Sequence, residues 1–285
     1  MKQPAAEATG IKKLKFSVRV KRDMKMNRTL YLIILPVMLY YVLFFIFPAY
    51  GLIISFKDFD MRPNMSYMQN IMASKWVGLK YFKEFFTGIY FGRVMKNTII
   101  ISLSTLIFGF PIPIILAVMI NEVKNNQYKR LVQTVTYLPH FISLVVVCGM
   151  IKTFTSNTGI ISIFISHLTG AEAKTMLNDK NLFVPIYVIS NIWQTAGWDS
   201  IIYIAAITAI EQEQYEAAKI DGAGKMQQIW HVTLPGMFPT ITIMLILAVG
   251  KLLNVGYEKI ILLYNSLTKQ TAEVISTYTY QRGLI

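Results

Sequence analysis

Four stretches of this chain contain no Asp, Glu, Lys or Arg: residues 29–56, 97–121, 131–151 and 232–250. A fifth, about 182–210, contains a single charge, Asp199. A helix that crosses a bilayer needs about 20 mostly apolar residues. In lipid every backbone N–H and C=O must be satisfied within the protein, so runs of this length are helices. The pattern predicts an all-α, polytopic membrane protein with five visible spans, at about 30–55, 98–120, 131–153, 182–210 and 237–257. A large soluble helical core is the competing reading. Soluble domains carry about 25% charged residues, whereas this chain carries 15%, kept away from the apolar runs. Prolines agree with the membrane reading. Pro36, Pro48, Pro111, Pro113, Pro139, Pro185, Pro235 and Pro239 lie in or at the spans, where kinks or interruptions are expected and neighbouring helices can satisfy the freed carbonyls.

The net charge of +13 raises the possibility of a nucleic-acid partner, but its placement argues for a lipid surface. Residues 1–28 hold nine Lys and Arg against Glu7 and Asp23, immediately before the first span. Positive residues stay on the cytoplasmic side and attract anionic headgroups, which puts the N-terminus inside. The first run is too long for a signal peptide's apolar core, and Phe47-Pro48-Ala49-Tyr50 is a poor cleavage site. Counting spans from there, 57–96 is external and carries the aromatic segment Trp76-Val77-Gly78-Leu79-Lys80-Tyr81-Phe82. Residues 121–130 are internal, with Lys124, Lys129 and Arg130 against Glu122. Residues 155–181 are external, 211–235 internal and 258–285 external. No sixth apolar run follows, and the Tyr278-Tyr280-Arg282 approach to Gly283-Leu284-Ile285 predicts that a last helix is missing from this sequence.

The internal segment 211–235 is a polar island between two apolar runs. Residues 211–220 are rich in helix formers, with Glu211, Glu213 and Glu216 near the N-terminal end, where the helix dipole favours acid. Asp221-Gly222 predicts the stop, because glycine accepts the left-handed conformation that ends helices. A second short helix is expected over 225–232, anchored by a buried Trp230 and closed by Pro235. Ala217 and Ala218 leave a small-residue surface that another backbone can approach. Gly222-Ala223-Gly224-Lys225 is not a phosphate loop, since Lys219 and Met226 stand where Gly and Ser or Thr are required. His140, His167 and His231 are scattered and Cys148 stands alone, so neither a catalytic constellation nor a metal-ligand spacing is present in the sequence.

The run Glu216-Ala217-Ala218-x-x-Asp221-Gly222-Ala223, with Trp230-x-x-x-Leu234-Pro235 after it, resembles the EAA loop of ATP-binding-cassette importer permeases. Trp76-Val77-Gly78-Leu79-x-x-Phe82 and Tyr137-Leu138-Pro139 resemble the maltose-like sugar branch. The ending from Tyr257-Glu258-Lys259-Ile260 to Tyr278-Thr279-Tyr280-Gln281-Arg282-Gly283 is similar to members that handle oligosaccharides from complex polysaccharides. The resemblance implies a type I importer transmembrane domain over 29–285, with a basic cytoplasmic segment 1–28 and a coupling loop 211–235. It also implies bacterial cytoplasmic-membrane localisation and an oligosaccharide substrate. The expected partners are a second homologous permease, two ATP-binding subunits that use ATP and Mg, and an extracytoplasmic solute-binding protein. This chain itself would bind no cofactor, hydrolyse no ATP and contact no nucleic acid. Glu216, Ala217, Ala218, Asp221, Gly222 and Ala223 are the expected ATPase-coupling residues. The family pattern has a last span that this sequence lacks.

Polar residues inside spans are costly and therefore candidates for function. Asn191, Trp193, Gln194, Trp198 and Asp199 in the fourth span, and Asn254, Tyr257 and Glu258 at the end of the fifth, suit a saccharide path. Aromatic faces meet sugar C–H surfaces, and amides or acids meet hydroxyls. The same residues also suit interhelical packing and hydrogen bonding, and Asp199 is placed to pair with Lys251 or with a residue of the partner permease. The alternative function is a secondary transporter or channel with Asp199 as an intramembrane relay. The internal loop distinguishes the two, because a secondary transporter has no use for a motor-docking helix.

Overall fold

A computed structural model describes residues 22–284, which fall into two compact units divided between Gly88 and Ile89. The basic segment 1–28 lies mostly outside the described residues. Helices Arg28–Phe56, Phe91–Glu122 and Lys225–Gly250 are long and apolar enough to cross a membrane. Helix Phe183–Thr208, at 26 residues, also has spanning length.

In the first unit, Arg28–Phe56 leaves its large apolar side chains exposed on all sides, as a helix solvated by lipid does. Below it a two-stranded antiparallel ribbon pairs Lys57 with Trp76 and Asp58 with Lys75. Ser66 caps helix Tyr67–Ala73 in a reciprocal capping box with Gln69, satisfying two orphan donors. The aromatic motif at 76–82 is the clasp of this unit. Phe56 stacks on Trp76 at 5.7 Å and leans on Phe82 at 5.4 Å, so Trp76 and Phe82 pack on the residue that ends the span.

Prolines bend this chain less than the sequence suggests. Three π-turns, at Val42–Ile46, Thr105–Gly109 and Ile229–Thr233, each lie two residues before a proline: Pro48, Pro111 and Pro235. A helical proline cannot donate to the carbonyl four residues back, and its ring collides with that carbonyl. Those carbonyls belong to Phe44, Ile107 and His231, at the centre of each π-turn. The wider turn absorbs the collision and the helix continues. Pro235 therefore does not close a separate helix, contrary to expectation. The segment Lys225–Gly250 is one continuous helix of 26 residues, with Pro235 carried through on the π-turn.

The third expected span is broken. Helices Asn126–Phe141 and Leu144–Phe154 meet at 98°. Pro139 sits in a 3-10 turn, and Ser143 restarts the chain as an N-cap, its hydroxyl accepting from Val146 N–H. The fifth span also ends early, at Gly250. Asn254 therefore lies beyond the helix, and Tyr257 and Glu258 begin a separate helix, Tyr257–Leu263.

The second unit has two apolar clusters. One gathers Ile101, Cys148, Phe183, Tyr187, Val255 and Ile260; the other gathers Ala117, Tyr203, Ile207 and Met237. Tyr187 and Tyr203 belong to the same helix, 16 residues and so about 24 Å apart. Buried polar groups fix the chain after the last long helix. Asn97 donates to the carbonyls of Gln270 and Glu273 at 2.9 and 3.0 Å, and the Thr98 hydroxyl accepts from Ile275 N–H at 3.1 Å. Asn265 donates to Leu177 O and Asn178 Oδ1 at 3.1 and 2.8 Å.

Candidate functional site

Between the two clusters lies a cavity of about 420 Å³. One wall is a stripe of every fourth residue on helix Phe183–Thr208: Tyr187, Asn191, Thr195, Asp199 and Tyr203. Positions four apart share a helix face, which explains how a largely apolar helix offers one polar edge. Helix Phe91–Glu122 faces it with Ser102 and Thr105, and the turn that follows helix Lys225–Gly250 adds Lys251 and Asn254. Ser102 Oγ and Thr105 Oγ1 are buried and have no hydrogen-bond partner among the described residues. Unpaired buried hydroxyls are expensive, so a cavity lined by them is chemically prepared for a hydroxyl-rich ligand or for water.

Of the residues expected on a substrate path, Asn191, Asp199 and Asn254 line this cavity. Trp193, Gln194, Trp198, Tyr257 and Glu258 do not. Trp193 and Trp198 stand two and seven residues from Asn191, off the every-fourth-residue edge, and both are exposed. Trp198 stacks on His140 with ring centroids 4.6 Å apart and meets Phe141 edge-on. Tyr257 stacks on Tyr280 at 5.0 Å. Asp199 and Lys251 share the cavity, but no ion pair joins them among the described residues. Ser102, Thr105, Tyr187, Thr195 and Tyr203 escaped the sequence reading. The four-residue repeat from Tyr187 to Tyr203 is the signal that would have found the last three.

The polar loop at 211–235 begins as expected. Helix Gln212–Ile220 ends in a left-handed Gly222 with φ +81°. Gly222 N–H donates to Lys219 O at 3.1 Å and Ala223 N–H to Ala218 O at 2.9 Å, the paired bonds of a Schellman close. Glu216, Ala217 and Asp221 are exposed, and Ala218 and Ala223 are half-buried. The anchor is not Trp230, which is 63% exposed. Gln228 and Thr233 are the buried side chains. Gln228 Nε2 donates to Ala223 O at 2.8 Å, and the hydroxyls of Tyr215 and Thr233 lie 3.0 Å apart. The loop is thereby braced on its own helices, while Ile220 and Met226, 86% and 66% exposed, face outward with nothing packed over them among the described residues. Lys225 Nζ donates to Glu122 Oε2 at 2.7 Å, tying the loop to the helix that carries Ser102 and Thr105. Among the described residues no group of three His, Cys, Asp or Glu is arranged to hold a metal ion.

Residues 109–281 match the family described as binding-protein-dependent transport system inner membrane component. Over 284 residues the chain is 40% identical to Protein LplB of Bacillus subtilis (strain 168), covering 99% of this chain and 86% of that protein. It is also 40% identical, over 282 residues, to the polygalacturonan/rhamnogalacturonan transport system permease protein YteP of the same strain, covering 99% and 85%. Among solved structures it is similar to a chain of a bacterial ABC transporter involved in the import of the acidic polysaccharide alginate. There the TM-score is 0.83 at 42% identity, covering 93% of this chain and 87% of that one. A polar-edged cavity between apolar helices, with a braced loop at one end, is thus found in a chain that belongs to the family of binding-protein-dependent transport system inner membrane components.

Proposed function

We propose that this chain is the permease subunit of an ATP-driven oligosaccharide importer, working by alternating access with its N-terminus in the cytoplasm. ATP hydrolysis resides in two partner subunits that use Mg, and a second permease completes the path. The observation that carries this reading is the exposed, self-braced loop around Glu216, Ala217 and Gly222, linked through Lys225 and Glu122 to a wall of the cavity. A loop pushed by a motor must be rigid, must present an open face and must connect to what moves. A carrier driven by Asp199 as a relay requires none of these. The oligosaccharide class is supported by the cavity's hydroxyls and amides and by relatives named for polygalacturonan, rhamnogalacturonan and alginate transport.

The test is saccharide-stimulated ATP hydrolysis by the complete complex in lipid. Asn191→Ala and Asn254→Ala each remove a cavity hydrogen-bonding group, a loss of about 1 kcal/mol. The saccharide concentration for half-maximal stimulation is therefore expected to rise roughly fivefold in each. Trp193→Ala, outside the cavity, is expected to leave it unchanged. A Trp193 effect as large as the asparagine effects would contradict the assignment of the path to this cavity.

A further inference from the structure

A second, separate pocket of about 440 Å³ is formed by Tyr90, Arg93, Lys269, Glu273, Tyr278 and Arg282. It shares no lining residue with the central cavity. Arg93 and Glu122 are 29 residues apart on one continuous helix, roughly 40 Å, so this pocket lies at the end opposite the coupling loop. On the topology proposed above, that is the extracytoplasmic face.

Its charges do not balance. Glu273, almost wholly buried, is bound by Arg93 and lies 3.7 Å from Lys269. The pocket thus holds three cations to one carboxylate, and Arg282 has no carboxylate partner among the described residues. Arg93 Nε is buried without a hydrogen-bond partner among the described residues. The guanidiniums of Arg93 and Arg282 lie 5.1 and 5.8 Å from the Tyr90 ring centre, and Arg282 lies 5.8 Å from that of Tyr278. Stacking on tyrosine holds a guanidinium in place while leaving its in-plane donors free for a carboxylate.

We propose that this pocket is a docking socket for an Asp or Glu side chain of the extracytoplasmic solute-binding protein. The inference rests on the importer reading above. A saccharide fits the pocket less well, because the cations already cover tyrosine faces that would stack on a pyranose. Arginine and tyrosine around a recessed charge are also the composition of protein–protein hot spots.

The experiment titrates the cognate solute-binding protein, loaded with saccharide, against the complete complex in lipid and reads stimulated ATP hydrolysis. Arg282→Glu is expected to raise the half-maximal binding-protein concentration roughly tenfold and to flatten its salt dependence. The rate at saturation should be retained, and Arg282→Gln should fall between. A shift in the saccharide requirement alone, with binding-protein affinity intact, would overturn the socket in favour of a saccharide carboxylate. An unchanged titration in a complex whose wild type is stimulated overturns the docking site alone. A wild-type complex that no loaded binding protein stimulates overturns the importer reading and this inference with it.

Discussion

Gly197→Ala is expected to prevent this permease from reaching its native packing. A Cβ at position 197 would stand 1.9 Å from the carbonyl oxygen of Thr136 and 2.4 Å from its carbon. Both sides of that contact are backbone, so no side chain can swing away. Gly197 is where helix Phe183–Thr208 crosses helix Asn126–Tyr137, flanked by buried Ala196 and Ser200. Close approach through small residues is how helices associate in lipid. Overpacking of well-packed cores costs about 1–3 kcal/mol where side chains can yield, and here the cost should exceed about 3 kcal/mol. A thermal unfolding midpoint lowered by roughly 10 °C, or loss of monodisperse protein in detergent, is the expected readout. Gly149→Ala is the control. A Cβ there meets nothing within 4 Å, and because Gly149 lies inside helix Leu144–Phe154 the variant's midpoint should hold or rise slightly.

Gly222→Pro should act on transport and leave the spans intact. Gly222 sits at φ +81°, which proline, held near −65°, cannot adopt, and proline also removes the N–H that Lys219 O accepts. A Cβ at 222 meets no atom within 4 Å, so alanine carries only the left-handed backbone penalty of about 1–2 kcal/mol. The two substitutions therefore separate conformation from crowding. Uptake is expected to fall by at least tenfold in Gly222→Pro and by a few-fold in Gly222→Ala, with both proteins present in the membrane at wild-type levels. Quantitative immunoblotting beside labelled-oligosaccharide uptake checks both halves.

The elements read directly from residues were those with a single physical determinant. The uncharged runs 29–56, 97–121 and 232–250 mark long helices, whereas 131–151 holds a sharp bend; Asp221-Gly222 marks the end of helix Gln212–Ile220. What escaped depends on pairs of residues. Pro235 looks like a stop in isolation, but a π-turn centred on His231 lets the helix run through it. The same turn precedes Pro48 and Pro111, so the rule is local and repeatable. The size of Trp230 suggests an anchor, whereas Gln228 and Thr233 hold the loop through hydrogen bonds that only the fold brings together. In the cavity, residue chemistry picked Asn191 and Asp199 together with Trp193, Gln194 and Trp198. The four-residue spacing separates the first pair from the rest, and it adds Tyr187, Thr195 and Tyr203. Gly197 gave no sign of its role, because the Thr136 carbonyl that excludes a side chain is 61 residues away in the chain.

In the proposed mechanism the loop around Glu216 receives force from a partner motor and passes it to the helices around the cavity. Its most direct test is Glu216→Lys, measured for oligosaccharide uptake and ATP hydrolysis in the same proteoliposomes containing the complete complex. Glu216 is exposed and makes no ion pair among the described residues, so reversing its charge should cost the fold at most about 0.5 kcal/mol. Wild-type protein levels are expected, with uptake lowered at least tenfold and ATP hydrolysis that no longer responds to loaded solute-binding protein. Wild-type uptake by Glu216→Lys, with normally stimulated hydrolysis, would contradict that mechanism.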